Sequence, residues 1–189
     1  MYFRGKFGEQ IWFWLVQVRK VGTIAIRTKI TDLLDTLGIP YRRLEHTEPV
    51  FTVEAAVAQR GVVPEEMVKS ILLREKAQPR RYVMACVIGS ARLDLQAVRA
   101  HLPAEEDWKR LTFATAEEIL AVAGYVQGAV APLCLPAEIP VIFDEAIAHC
   151  TKVNISSGNL MLGLELNQED LTRLANARFA PIAIVERGA

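Results

Sequence analysis

One stretch constrains this chain more than any other: Gly124-Tyr125-Val126-Gln127-Gly128-Ala129-Val130-Ala131-Pro132, running on to Leu135-Pro136. It is apolar, yet it carries two glycines and a proline, so it reads as a loop turning between a helix and a strand. It has no acid or base of its own, and any chemistry it performs comes from its backbone. Gly128 lets a ligand approach the main chain closely. Pro132 stiffens the far end and offers no N–H. The N–H groups between them can converge on one oxygen atom, and pre-aimed donors of this kind stabilise the oxyanion of acyl transfer. On this stretch alone the plain loop and the oxyanion site both stand.

The chain has 189 residues, 51% hydrophobic and 23% charged, which suits one globular domain with a sizeable core and an appendage. Lys+Arg and Asp+Glu are both 22, so the net charge is zero and no global field attracts nucleic acid. Contact with RNA must come from a local patch or be shared with a partner. Cys86, Cys134 and Cys150 are odd in number and lack metal-ligand spacing, which predicts reduced thiols in a cytoplasmic protein. No paired histidines of the HExxH type occur, so neither a metal nor a cofactor is expected.

Residues 1–24 read as an extension to a domain over 25–189. Ile11-Trp12-Phe13-Trp14-Leu15-Val16 is too short to span a bilayer, and Arg19 and Lys20 follow it at once. The extension is expected to pack on the domain or on a second copy of the chain, giving a homodimer. A start codon assigned too far upstream is the alternative.

Further on, Ile30, Leu33, Leu34 and Leu37 form a helical stripe ended by Gly38. Ile39 to Leu44 reads as a strand, and Thr52 caps a helix that Gly61 ends. Pro64-Glu65-Glu66 opens a helical turn, and Ser70–Arg74 and Tyr82–Ile88 form a hairpin-like pair. Asp94 caps a helix to about Leu102, and Thr115 with Glu118 makes a capping box for the helix ending at Gly124. Val141-Ile142-Phe143 is a buried strand, followed by a brief helix capped by Asp144. Ser156-Ser157-Gly158-Asn159 is a turn between two strands, Asn167 opens a last helix, and Ala180 to Val185 is a final strand. The mixture of neighbours predicts an α+β domain: a mixed, largely antiparallel, barrel-like sheet flanked by helices.

Lys69 stands where a turn feeds a buried strand. There a lysine can pack its stem on apolar wall and hold a phosphate or α-carboxylate, or simply snorkel. His46 has a pKa near neutrality and the capacity of a general base, but in a loop it reads as a hydrogen-bonded structural residue. Cys134 lacks a basic neighbour in sequence and reads as wall rather than nucleophile. Ser156 and Ser157 either donate to a ligand or shape their turn. Without a serine triad or paired carboxylates, acyl chemistry falls to bound water, oriented by backbone donors.

In order along the chain, these pieces resemble the YbaK/ProX family, free-standing relatives of the editing domain inserted in bacterial prolyl-tRNA synthetase. The likeness runs from about Ile30 to Ile184. Val68-Lys69-Ser70-Ile71-Leu72-Leu73 resembles the family's lysine-bearing strand, and Gly124–Pro132 its G-Y-x-x-G-x-x-x-P loop. Pro140-Val141-Ile142-Phe143-Asp144 resembles its P-x-x-x-D strand, and Ile155-Ser156-Ser157-Gly158 its V-S-G-G turn. Glu45-His46 precedes them in the expected place.

The resemblance implies hydrolysis of mischarged aminoacyl-tRNA, with water or the substrate's own hydroxyl attacking the ester. By residue, it implies that Lys69 anchors the acceptor end and that Gly128, Ala129, Val130, Ala131 and Pro132 hold the carbonyl. Leu44, His46 and Ser156 would line the substrate pocket. It also implies a synthetase partner, such as prolyl-tRNA synthetase. Leu44 replaces a tyrosine of some members, and Ser157 replaces the first glycine of the V-S-G-G turn. Both changes are expected to alter the pocket wall and leave the removed amino acid open among alanyl, cysteinyl and other small groups. A non-catalytic module that binds acceptor ends or a synthetase is the alternative from another class.

Overall fold

The computed structural model describes residues 25–89 and 91–184. The apolar run Ile11–Val16 and the expected N-terminal extension lie outside the described residues. Helix α1 (Lys29–Leu37) precedes strand β1 (Tyr41–Glu45), and α2 (Val53–Arg60) precedes the hairpin of β2 (Val68–Glu75) and β3 (Tyr82–Ile88). Next come α3 (Leu95–Ala100), β4 (Leu111–Phe113) and α4 (Ala116–Glu118), which continues as a π-helical turn over Ile119–Ala123. The chain closes with β5 (Val141–Asp144), β6 (Lys152–Asn159), β7 (Leu162–Asn167), α5 (Gln168–Ala175) and β8 (Arg178–Ala180).

The strands form two sheets. One is antiparallel with order β1-β7-β6; the other is mixed, with order β4-β2-β3-β5-β8. The larger sheet is antiparallel from β4 to β3 and parallel from β3 through β5 to β8. Among the described residues, one bridge, between Met67 and Asn154, joins the sheets. The α+β expectation holds, but the strands do not close into a barrel.

Tyr82-Val83-Met84-Ala85-Cys86-Val87-Ile88 explains the layering. It is apolar on both faces, so it must lie at the centre of a sheet covered on both sides. Met84, Cys86 and Ile88 face the main core, with Ile30, Leu34, Ile155 and Leu164. Val83, Ala85 and Val87 face a second core, with Val98, Leu102, Trp108 and Ile182. Most helix ends lie where their caps predict: Thr28 and Gly38 bound α1, Thr52 and Gly61 bound α2, and Thr115 and Glu118 form a capping box.

Two boundaries differ from expectation. β6 runs through Ser156-Ser157-Gly158-Asn159, and its register against β7 shifts between Ser156 and Asn159. The polar residues there make a bulge, not a turn, because Ser157 is buried and donates to the Leu162 carbonyl at 2.7 Å. The final strand is Arg178–Ala180, earlier than expected, and Ala183 makes only an isolated bridge to Leu93.

Asp144 fixes that C-terminal segment. Its buried carboxylate accepts from the N–H groups of Ile182 at 3.0 Å and Ala183 at 2.8 Å, and from Ala146 at 3.1 Å. Asp144→Ala leaves three donors without their acceptor and is expected to cost roughly 3 kcal/mol of stability, read as a lower denaturant midpoint at constant m-value. A midpoint equal to wild type would show that the segment is held by its apolar contacts alone.

Candidate functional site

A cavity of about 350 Å³ opens where α2, the start of β2, the Gly124–Pro132 loop and the β6 bulge meet. Lys69, Gly128, Val130 and Ser156 all line it. The fold thus brings together four residues singled out on three separate segments of sequence. Ala129 and Ala131 are fully buried in the same loop, and Pro132 lies outside the wall. Leu44 is buried on β1 opposite Gly163, and His46 is buried behind the cavity; neither lines it. Nor does Ser157, whose hydroxyl points to Leu162, so the two replacements expected to alter the wall do not form it.

Lys69 is held rather than free. Its ammonium donates to the carbonyls of Gly89 at 3.1 Å and Ala91 at 2.7 Å. One of its three N–H groups remains for a ligand. Burial lowers its pKa, and the nearby Glu54 opposes that shift. Gly89 is required for this arrangement, since a Cβ there would lie 2.6 Å from Val53 Cγ1.

The glycine loop is fixed at both ends. Tyr125 is buried, and its hydroxyl donates to the Leu133 carbonyl. Lys29 on α1 lies 3.7 Å from the centre of the Tyr125 ring and donates to the carbonyls of Ala123 at 2.9 Å and Cys134 at 3.2 Å. Gly128 has φ +90°, in the left-handed region, and a Cβ there would stand 3.2 Å from both Phe51 Cδ1 and Leu160 Cδ2. The Ala129 N–H is used within the loop, donating to the Val126 carbonyl at 3.0 Å. The N–H groups of Gly128, Val130 and Ala131 meet no main-chain acceptor among the described residues.

Sequence reading missed Arg60. At the end of α2, just before the Gly61 cap, it reads as an ordinary solvated charge near a helix C-terminus. Instead it turns inward and lines the cavity. Its Nε donates to His46 Nε2 at 3.0 Å, and its Nη1 donates to the Ile155 carbonyl at 3.3 Å and contacts Met67 Sδ at 3.5 Å. Burial lowers its pKa to about 10. Space for it comes from Gly163, where a Cβ would sit 2.3 Å from Arg60 Cζ, a proximity that nothing local in the sequence signals.

The adjacent arginines at 42–43 and 80–81 are neutralised by carboxylates. Arg42 pairs with Glu165, Arg43 with Glu45, Arg80 with Glu118 and Arg81 with the buried Glu75. Burial pushes the Cys134 thiol up, against the opposing charge of Lys29, which suits wall rather than nucleophile. Among the described residues, no cluster of His, Cys, Asp or Glu has the arrangement of a metal site, and no helix is long and apolar enough to cross a membrane.

The comparisons agree with this architecture. Residues 47–174 match the family model described as the aminoacyl-tRNA editing domain, and the chain belongs to that family. A proline–tRNA ligase of Bacillus licheniformis is 28% identical over 144 residues, covering 76% of this chain but 24% of the ligase. The chain therefore spans about a quarter of that relative's length. A protein of Enterococcus faecalis, named a candidate Cys-tRNA(Pro)/Cys-tRNA(Cys) deacylase, EbsC, is 22% identical over 163 residues, covering 85% of this chain and 95% of that one. A solved structure described as a candidate trans-editing enzyme for prolyl-tRNA synthetase superposes with a TM-score of 0.70 at 22% identity, covering 82% of this chain and 95% of the other. That superposition bears on the fold.

The arginine fixes the chemistry of His46. Because Nε2 accepts from Arg60, Nδ1 must carry the proton, which it donates to the Leu160 carbonyl at 2.8 Å. Burial is the main cause that holds the pKa below its ordinary value; the Leu160 bond opposes it, and the Arg60 charge adds a smaller lowering. A depressed folded-state pKa stabilises the fold at neutral pH, and that contribution is lost as pH falls through the depressed value. Imidazole NMR at pH 7 is expected to show a neutral Nδ1–H tautomer titrating below about 6.5. A titration at or above that value would mean that the ring is not held buried and neutral in this arrangement.

Proposed function

We propose that this chain hydrolyses the ester between an amino acid and the terminal ribose of mischarged tRNA, acting in trans on the products of a synthetase. The observation that carries the reading is the meeting of Gly128 and Val130, whose N–H groups have no main-chain acceptor among the described residues, with Lys69 around one cavity. Water attacks the carbonyl carbon, the ribosyl oxygen leaves with a proton, and free amino acid and tRNA result. Charge develops on the carbonyl oxygen, where the donors of the Gly128–Pro132 loop stabilise it. Lys69 contributes its remaining N–H to the acceptor end. Ser156, whose hydroxyl accepts from the Gly158 N–H at 3.1 Å, also lines the cavity. Leu44 and His46 support the wall from behind. The names carried by the relatives favour the same reaction class, and the small fraction of the ligase that is matched favours an editing unit over 25–189, with 1–24 as an extension. The expected setting is the cytoplasm.

A deacylation panel with several mischarged tRNAs, each against a no-enzyme control, tests the reading directly. Lys69→Ala is expected to abolish turnover with the fold retained, since the ammonium serves the cavity rim. Gly128→Val is expected to cut turnover severely while melting temperature falls much less, because a side chain there meets Phe51 and Leu160 at the cavity mouth. Full activity in a folded Lys69→Ala protein would sink the assignment of the lysine. Strictly parallel losses of activity and stability at Gly128 would reduce the loop to a structural role.

Delivery is expected to depend on a synthetase holding the tRNA. The net charge is zero, and the arginine pairs at 42–43 and 80–81 are already matched by carboxylates. Few phosphate contacts give weak binding and a shallow salt dependence. Titration of uncharged tRNA at several salt concentrations checks this, and submicromolar affinity with a steep slope, measured without a partner, would overturn it.

A further inference from the structure

Arg60 is a partly buried cation on the cavity wall with no carboxylate within ion-pairing distance among the described residues. Such a charge is costly unless something answers it. Its Nε and Nη1 are occupied by His46, Ile155 and Met67, which fix the guanidinium plane. Its Nη2 has no hydrogen-bond partner among the described residues. The fold makes room for this group: Gly163 omits the Cβ that would lie 2.7 Å from Nη2. His46, neutral and accepting, holds the cation without cancelling it.

We propose that Arg60 is a specificity-determining residue whose guanidinium receives a carboxylate at the end of the aminoacyl side chain, so that the cavity takes aspartyl- or glutamyl-type groups. The proposal rests on the editing reading for its natural substrate, but not for its test. Two cations, Lys69 and Arg60, line the cavity with one carboxylate, Glu54, so its charge favours an anion. The position of Arg60 separates side chain from phosphate as the source. Phe51, 67% exposed, and the exposed Thr52 and Glu54 mark the mouth, where RNA can reach. Arg60 instead contacts Met67 Sδ at 3.5 Å and follows Ala56 by one helical turn, and both of those residues are nearly inaccessible. An apolar aminoacyl group there would leave the guanidinium desolvated and unanswered. A carboxylate gains charge-assisted bonds from a donor already held in place.

Non-hydrolysable 3′-aminoacylamino-3′-deoxyadenosine analogues separate binding from turnover. Wild-type protein is expected to bind the glutamyl analogue about 10- to 100-fold more tightly than the nearly isosteric glutaminyl one, the range of a hydrogen bond to a charged group. Arg60→Gln is expected to remove that preference, and Arg60→Lys to keep part of it, with melting curves confirming the folded state of each. Equal wild-type affinity for the two analogues, undetectable binding included, overturns the proposal without needing any variant. Equal weakening by Arg60→Gln of both analogues and of adenosine 5′-monophosphate also overturns it, because Arg60 then holds phosphate. A glutamyl preference without hydrolysis of glutamyl-tRNA supports the inference while the editing reading fails.

Discussion

The site depends on a buried tyrosine. Tyr125 closes the glycine loop by donating to the Leu133 carbonyl, eight residues away. Burial pushes its phenol pKa up, so the hydroxyl stays a donor at any ordinary pH. One face of the ring meets the Lys29 ammonium, which ties α1 to both ends of the loop. The ring edge meets Gly158, where a Cβ would approach Cε1 to 2.9 Å. The bulge in β6 follows from the same contact. Gly158 has φ +90°, so β6 cannot continue its pleat past Ser156, and the register against β7 shifts there. One side chain therefore sets the loop, the bulge and the distance between them. Both the loop and the bulge line the cavity.

Much of this was legible because local chemistry and tertiary structure agree. Gly38, Gly61 and Gly124 all end helical segments in the left-handed conformation that their residue type predicts. Asp144 caps its turn as its position suggested, although its second oxygen serves a segment 38 residues away. The convergence of Lys69 with Gly128 and Ser156 was legible only through a family resemblance, since nothing local says that β2, a loop and β6 meet. The serine bulge was misread as a turn because Ser-Ser-Gly-Asn carries turn chemistry in its side chains. Burial of Ser157 and the Tyr125 contact override that propensity. β4 was missed because three residues, Leu111-Thr112-Phe113, give too little period to register.

Charge was the least legible property. A net charge of zero suggests a chain without electrostatic features, yet the paired and unpaired cations are segregated. Arg81 forms a two-pronged bond to Glu75 at 2.8 and 3.0 Å and stacks over Trp108 at 4.1 Å, so its charge builds the second core. Arg42 serves Glu165 in the same way across the small sheet. Lys69 and Arg60 are different. Their contacts are carbonyls, a sulfur and an imidazole lone pair, all of which orient a cation while leaving its charge intact.

This segregation bears on how the cavity, under the proposed editing reading, can discriminate. Apolar walls separate substrates differing by one methylene by only ~1–3 kcal/mol, whereas a site built to answer one polar group strongly rejects ligands that lack it. The inner wall here contains both kinds of surface. Met67, Val68 and Ala56 supply shape, and Arg60 supplies a fixed polar demand. Because Gly163 and His46 are arranged around the guanidinium, the demand is structural: the cation cannot swing out to water without abandoning its bonds to His46 and Ile155. Helix α2 packs through Ala56, Val53, Ala55 and Val57 against Val50 and Met67, a small cluster apart from the two main cores. The inward turn of Arg60 joins the Gln59 bonds to Thr47 and Glu48 in attaching α2, so the residue that polarises the cavity also helps to anchor one of its walls.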